Sequence, residues 1–263
     1  MELRQISIGC GDAGGEHQTG LRDYGGYATR SGARLRRGVL FRSGQLDSAG
    51  QEESGLLHRL GIGAIIDMRG PAEIGEARSP AYEGFSGEIL LASSEGSIMP
   101  HATTGLVAIT SVEDVGNQMA EVYRRLPYCG RFRESFANYL RALDSADIST
   151  RSATLIHCFA GKDRTGLAVA LFHLIAGVHP DDVFADYLTT NDMGEDRIEL
   201  SRPEFERRSG GDAPEWLFRA LNAGHADYLA AALRQIGDVH SYAAETSGYS
   251  PRRLIEIGER WLD

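Results

Sequence analysis

Between Ser152 and Gly177 the chain switches from one periodicity to another across a short polar loop, and few folds accommodate that switch. Ser152 to His157 reads as a strand, and Thr165 to Gly177 as an apolar helix. A second buried run, Ile62-Gly63-Ala64-Ile65-Ile66-Asp67, is too short for a helix and is bounded by glycine and proline. Buried strands separated by helices imply a largely parallel sheet, because parallel strands need crossover connections that cover both faces. Leu35 to Arg42 reads as a further strand, and Ile89-Leu90-Leu91 as a weaker one.

The intervening segments carry helical spacing. Asp47 or Ser48 can cap a helix that bears Leu56, Leu57 and Leu60 and stops at Gly61. Val115 to Leu126 and Phe132 to Leu143 follow, the latter with Phe132, Phe136, Tyr139, Leu140 and Leu143 on one face, while residues 93–111 have little periodicity. Beyond Pro180 the chain reads as all helical. Asp212-Ala213-Pro214-Glu215 resembles a capping box, and Ser250-Pro251 puts proline at a first helical position. The expected fold is α/β: a central mostly parallel sheet flanked by helices, with a helical C-terminal appendage, all within one domain spanning 1–263.

Charge narrows the function. The 263 residues carry a formal net charge of −10, which argues against a general nucleic-acid or anionic-membrane binder, so any anion must be captured locally. No apolar run is long enough to span a bilayer, and the N-terminus lacks a basic-then-apolar signal pattern. A cytoplasmic location is expected, with export lacking a visible signal left open. Cys10, Cys129 and Cys158 are odd in number and have no CxxC spacing, which disfavours a disulfide framework or a zinc site. Lys162 is the one lysine in an arginine-rich chain, and it falls inside the strand-to-helix loop.

That loop, His157-Cys158-Phe159-Ala160-Gly161-Lys162-Asp163-Arg164-Thr165-Gly166, has the make-up of an anion site. Successive amides at a helix N-terminus point into one concavity, and the helix dipole favours negative charge there. Cys158 begins this nest, where amides, dipole and Arg164 favour thiolate over thiol. Arg164, six residues on, offers a planar fork for two phosphate oxygens while sulfur attacks phosphorus, splitting one difficult hydrolysis into two displacements. Asp67, at the end of the earlier strand, lies where side chains of a parallel sheet reach such a site. The Walker pattern fails, since it needs glycine at Ile156 and Ser or Thr at Asp163.

HCFAGKDRTG resembles the signature of the cysteine-dependent protein tyrosine phosphatases, in particular a bacterial branch of tyrosine and phosphoinositide phosphatases. Supporting pieces are Gly20 to Tyr27, Gly38 to Ser43, Ile66-Asp67-Met68-Arg69, Asp186 to Asn191 and His225 to Leu233, so the likeness runs from about residue 20 through most of the chain. It implies Cys158 as nucleophile and Arg164 as phosphate and transition-state ligand. The backbone of Phe159, Ala160, Gly161, Lys162, Asp163 and Arg164 would form the cradle, with Thr165 placing a hydroxyl near sulfur and His157 orienting the loop. It favours Asp163 as general acid, with Asp67 the alternative and Asp67 and Arg69 otherwise shaping the loop. Lys162 is either a solvent-facing charge or a contact to a second phosphate on an inositide ring.

Residues 192–224 read either as a solvated charged face or, as the resemblance implies, as a helical lid whose Trp216, Leu217 and Leu221 cover the pocket. The expected substrate is phosphotyrosine protein, with dual or lipid specificity open and phosphoinositide the runner-up; no metal or cofactor is called for, and no integral membrane segment is expected. A catalytically silent phospho-binding module is the reading from another class, and intact Cys158, Arg164 and Asp163 argue against it. A sulfurtransferase fits the His-Cys and Arg-Thr-Gly flanks poorly. Cys10, Cys129 and His173 are read as core residues, His173 with an interface role as its other option.

Overall fold

The computed structural model describes residues 20–46, 50–75, 82, 84–94, 109–147, 152–192, 198–199, 201–209 and 211–263. Five strands make one sheet: β1 (Arg22–Asp23), β2 (Leu40–Ser43), β3 (Ile62–Asp67), β4 (Glu88–Leu91) and β5 (Ala153–His157). Their spatial order is β1-β2-β5-β3-β4, with β2, β5, β3 and β4 parallel and the two-residue β1 antiparallel at the edge. The sheet is mostly parallel, as the apolar runs require. β5 lies at the centre with every residue buried, which is why its sequence shows no alternation.

Register aligns the carboxyl ends: Ser43 and Asp67 both pair with His157, and Asp67 pairs with Leu91. In an open α/β sheet that edge is where ligands sit. Helices α1 (Gly50–Arg59), α2 (Pro71–Ile74), α3 (Val112–Arg125) and α4 (Gly130–Ser145) connect the strands. After β5 come α5 (Asp163–Ile175) and α6 (Pro180–Leu188), then α7 (Arg202–Ser209), α8 (Glu215–Asn222), α9 (Ala226–Ile236), α10 (Val239–Ser247) and α11 (Pro251–Arg260). Every residue of α5 is buried except the half-buried Leu174, so it is the hydrophobic centre against which α6, α10 and α11 pack.

Several sequence expectations shift. The strand read over Leu35 to Arg42 forms only from Leu40, because Gly38 at φ 75° breaks the extended run; Leu35 instead bridges Leu262 near the chain's end. Asp212 does not cap α8: Pro214 occupies the N-cap, and Glu215 turns to Arg202 at 2.9 Å and Arg219 at 3.0 Å. Ser250 does cap α11, accepting from the Arg253 amide at 3.2 Å with Pro251 behind it. The proposed caps Asp47 and Ser48, Cys10, and residues 95–108 lie outside the described residues. Among the described residues no helix is long and apolar enough to cross a membrane.

Candidate active site

The loop that links β5 to α5 is shaped by one position above all. Gly161 adopts φ 66°, and a Cβ there would stand 2.5 Å from the Ser43 carbonyl oxygen, so only glycine serves. The turn brings Cys158, at the end of the central strand, beside the first turn of α5, where Asp163, Arg164 and Thr165 follow one another. All four are buried, and Cys158 is only 2% exposed.

Arg164 is held by its far end. Its Nη1 and Nη2 donate to the two oxygens of Glu73 at 2.7 and 2.6 Å, and Nη1 also donates to the Met68 carbonyl at 3.1 Å. Two polar atoms, Arg164 Nε and Thr165 Oγ1, are buried without a hydrogen-bond partner. Such atoms are costly unless a ligand completes them. Burial works against the Arg164 charge, but the Cys158 sulfur and Glu73 outweigh it and raise the guanidinium above its ordinary value. Burial likewise opposes the Glu73 carboxylate, and Arg164 more than compensates, holding it low.

Asp67 lies under the loop and is saturated with donors. Arg69 reaches it through Nε at 3.0 and 3.2 Å, Nη2 at 2.9 Å and its own amide at 3.0 Å, and the Tyr82 hydroxyl donates at 3.0 Å. Burial pushes the carboxyl up, but His157 and Arg69 prevail and bring it down to about 2. Tyr82 also meets His157 Nε2 at 2.6 Å, while Nδ1 lies 3.2 Å from the Cys158 carbonyl oxygen. Tyr82 has one proton; if it goes to Asp67, His157 Nε2 must carry the hydrogen of the shared bond. Arg69, Asp67, Tyr82 and His157, the residue that precedes the cysteine, thus form one buried hydrogen-bonded chain.

Asp163 faces the other way, into a cluster of tyrosines. The Tyr123 hydroxyl donates to Asp163 Oδ1 at 2.6 Å, and Tyr187 stands 2.7 Å from the same hydroxyl. Lys162 overturns the solvent-facing reading: it is fully buried, and Nζ donates to the Leu221 carbonyl at 2.6 Å and the Ala223 carbonyl at 3.3 Å, with Asp163 Oδ1 at 3.5 Å. Those carbonyls belong to the C-terminal end of α8, where the helix dipole welcomes a cation. Leu217 and Leu221 are buried in the core, whereas Trp216 is 37% exposed. His173 is a core histidine, fully buried with Nε2 at 3.0 Å from the Tyr24 carbonyl.

Sequence reasoning missed Glu73, Tyr82 and Tyr123. Glu73 had a signal: Gly70-Pro71-Ala72-Glu73 is a helix start, and its carboxylate indeed accepts from the Gly70 amide at 2.8 Å. The tyrosines had none, since they come from segments distant in sequence.

Comparison with known proteins shows the family. Residues 16–263 match the model of the tyrosine phosphatase family. A protein of Cupriavidus necator named as a tyrosine-protein phosphatase is 32% identical over 229 residues, 84% of this chain and 78% of the relative. The triple specificity protein phosphatase PtpB of Mycobacterium tuberculosis is 30% identical over 214 residues, 70% of this chain and 75% of its own length. Among solved structures, Pseudomonas aeruginosa TpbA aligns over 82% of this chain and 90% of its own, at 15% identity and a TM-score of 0.33. With a carboxyl-edge cysteine, its arginine six residues on and a family match over nearly the whole length, this chain belongs to the tyrosine phosphatase family.

Proposed function

We propose that the protein hydrolyses phosphate monoesters through a phosphocysteine intermediate, with phosphotyrosine protein as its first substrate class. Cys158 attacks phosphorus and expels the phenoxide. The amides from Phe159 to Arg164 and the Arg164 guanidinium bind the three nonbridging oxygens, where the charge of the transition state resides. Water then hydrolyses the thiophosphate, with the Thr165 hydroxyl easing departure of sulfur. The observation that carries this reading is the pair of buried, unpartnered donors, Arg164 Nε and Thr165 Oγ1, in the first turn of the helix that faces Cys158.

Asp163 donates the proton to the leaving oxygen, and Asp67 shapes the loop. This division is supported by the donors that saturate Asp67 and keep it ionised, which suits an acceptor and not an acid. Segment 192–224 acts as a lid, supported by the Lys162 bonds to the end of α8. The same bonds weigh against Lys162 as a second-phosphate contact while α8 is seated, so lipid substrates rank behind phosphotyrosine. Turnover of an aryl phosphate, a phosphotyrosyl peptide, a phosphoseryl peptide and a phosphoinositide, each beside Cys158→Ser, tests the proposal. Activity on the phosphotyrosyl peptide that Cys158→Ser abolishes is the expected result, and turnover surviving that substitution refutes the nucleophile.

A further inference from the structure

An anion nest requires its amides to point inward, and each amide direction is coupled to a carbonyl on the opposite side. In a trans peptide the C=O of one residue and the N–H of the next are antiparallel. Whatever grips the carbonyls on the back of the loop therefore sets the amides on its front. Two such carbonyls are gripped by the end of β2 and the residues after it: Gln45 N donates to the Phe159 oxygen at 2.9 Å, and Arg42 Nη2 donates to the Gly161 oxygen at 2.9 Å. Their partners across the peptide plane are the amides of Ala160 and Lys162.

Arg42 is itself held with unusual stringency for a strand residue. It is 1% exposed, and its other nitrogen, Nη1, donates to Asp186 Oδ2 at 2.8 Å from helix α6. Asp186 is also buried and takes a second guanidinium, from Arg22, whose Nη2 additionally donates to the Asp186 carbonyl at 2.7 Å. The register of the short antiparallel edge sets Arg22 directly beside Arg42. Burial, reinforced by Arg22, pushes the Arg42 guanidinium down to about 10, with Asp186 and Cys158 opposing. It is therefore still a cation at neutral pH. A buried ion pair gives weak stability for its cost, so an Arg–Asp–Arg triad that ends on a loop carbonyl calls for another purpose.

We propose that Arg42 is a positioning residue for the phosphatase reaction: locked by Asp186 through Nη1, its guanidinium holds the Gly161 carbonyl from behind through Nη2 and presets the amides of the signature loop for the phosphoryl group. The proposal rests on the reading of that loop as the phosphate site. It places Arg42 out of contact with substrate, acting through the peptide plane that joins Gly161 to Lys162. The glycine at 161 serves the same end, since it lets the loop settle directly on Ser43 and Gly44.

Arg42→Lys is the discriminating variant. It keeps the charge beside Asp186, but one ammonium nitrogen cannot stand where two guanidinium nitrogens stood. The assays are kcat and KM for an aryl phosphate, the inhibition constant of inorganic phosphate, and the thermal midpoint, all on the full chain. Arg42→Lys should bind phosphate about tenfold more weakly and lose about tenfold or more in kcat, with a thermal midpoint close to that of the wild type. Arg42→Gln should lose more of both. If Arg42→Lys folds and shows phosphate inhibition and kcat within twofold of the wild type, the proposal is overturned. It is overturned equally if the losses in Arg42→Lys appear only in proportion to unfolded protein, which would make the triad purely structural. Failure of the underlying reading looks different, because Cys158→Ser would then keep its turnover whatever Arg42 does.

Discussion

At the scale of single residues, the two candidate carboxylates, Asp67 and Asp163, sit in different surroundings. Asp67 accepts from Arg69 and the Tyr82 hydroxyl, whereas Asp163 accepts from the Tyr123 hydroxyl, has the Lys162 ammonium at 3.5 Å and stands in the first turn of α5. Asp163→Asn should reduce kcat far more for alkyl phosphates and phosphotyrosine than for an aryl phosphate with a good leaving group, by a factor of about 10²–10⁴. Steady-state comparison of the two substrate types checks it; equal sensitivity would move the acid elsewhere. Asp67 makes a prediction about stability. Its ordinary value is 3.8 and its folded value about 2, so ionisation contributes about 2 kcal/mol, present in full above the ordinary value and lost as pH falls through the folded one. The stability gap between wild type and Asp67→Asn, from urea midpoints, should narrow by that amount between about pH 6 and pH 2. The candidates Cys158, Asp163 and Arg164 could be picked out in the sequence because one short loop carries all three. Glu73 had only its helix-start signal, and Tyr82, Tyr123 and Arg42 could not be placed at the loop, because each reaches it from a different part of the chain and only the fold makes them neighbours.

At the scale of elements, the strands and helices around the loop were legible wherever burial dictates composition. β3 was read to its terminal residues, and β5 to within one, because strands in the middle of a parallel sheet are mostly buried and rich in apolar residues. The failures lie where backbone conformation or ion pairing overrides pattern: Gly38 cuts short the strand expected from Leu35, and Glu215 prefers two arginines to a capping role. The seating of α8 was unreadable for a different reason. Nothing about a lone lysine announces that its ammonium closes the end of a helix some sixty positions later, at the Leu221 and Ala223 carbonyls. Because Lys162 is the chain's one lysine, amine acetylation followed by peptide mass analysis reports directly on that seat. Lys162 should acetylate at least about tenfold more slowly than an exposed lysine, and Leu221→Asp, which drives a charge into the buried strip of α8, should remove the protection. Rapid acetylation in the wild type would contradict a seated α8.

At the scale of the whole molecule, the two ends of the described chain close on one another. Trp261 is fully buried and donates to the Leu143 carbonyl at 3.1 Å, Leu262 bridges Leu35, and the Asp263 amide donates to the Arg34 carbonyl at 2.8 Å. The C-terminal helices are thus part of the same core as the sheet, and that core fixes α5 and its first turn. Trp261→Ala should cost about 3–5 kcal/mol in chemical denaturation, enough to reduce activity by unfolding alone without changing KM in the folded fraction. The proposed reaction requires sulfur and phosphorus to become bonded during turnover. Acid quenching of the enzyme mixed with an aryl phosphate, followed by mass analysis of the peptide that contains Cys158, tests this most directly. A phosphate should appear on Cys158 within the first turnover and decay as product phosphate forms; a peptide that stays unmodified, or a phosphate on another residue, would rule out the cysteine as nucleophile.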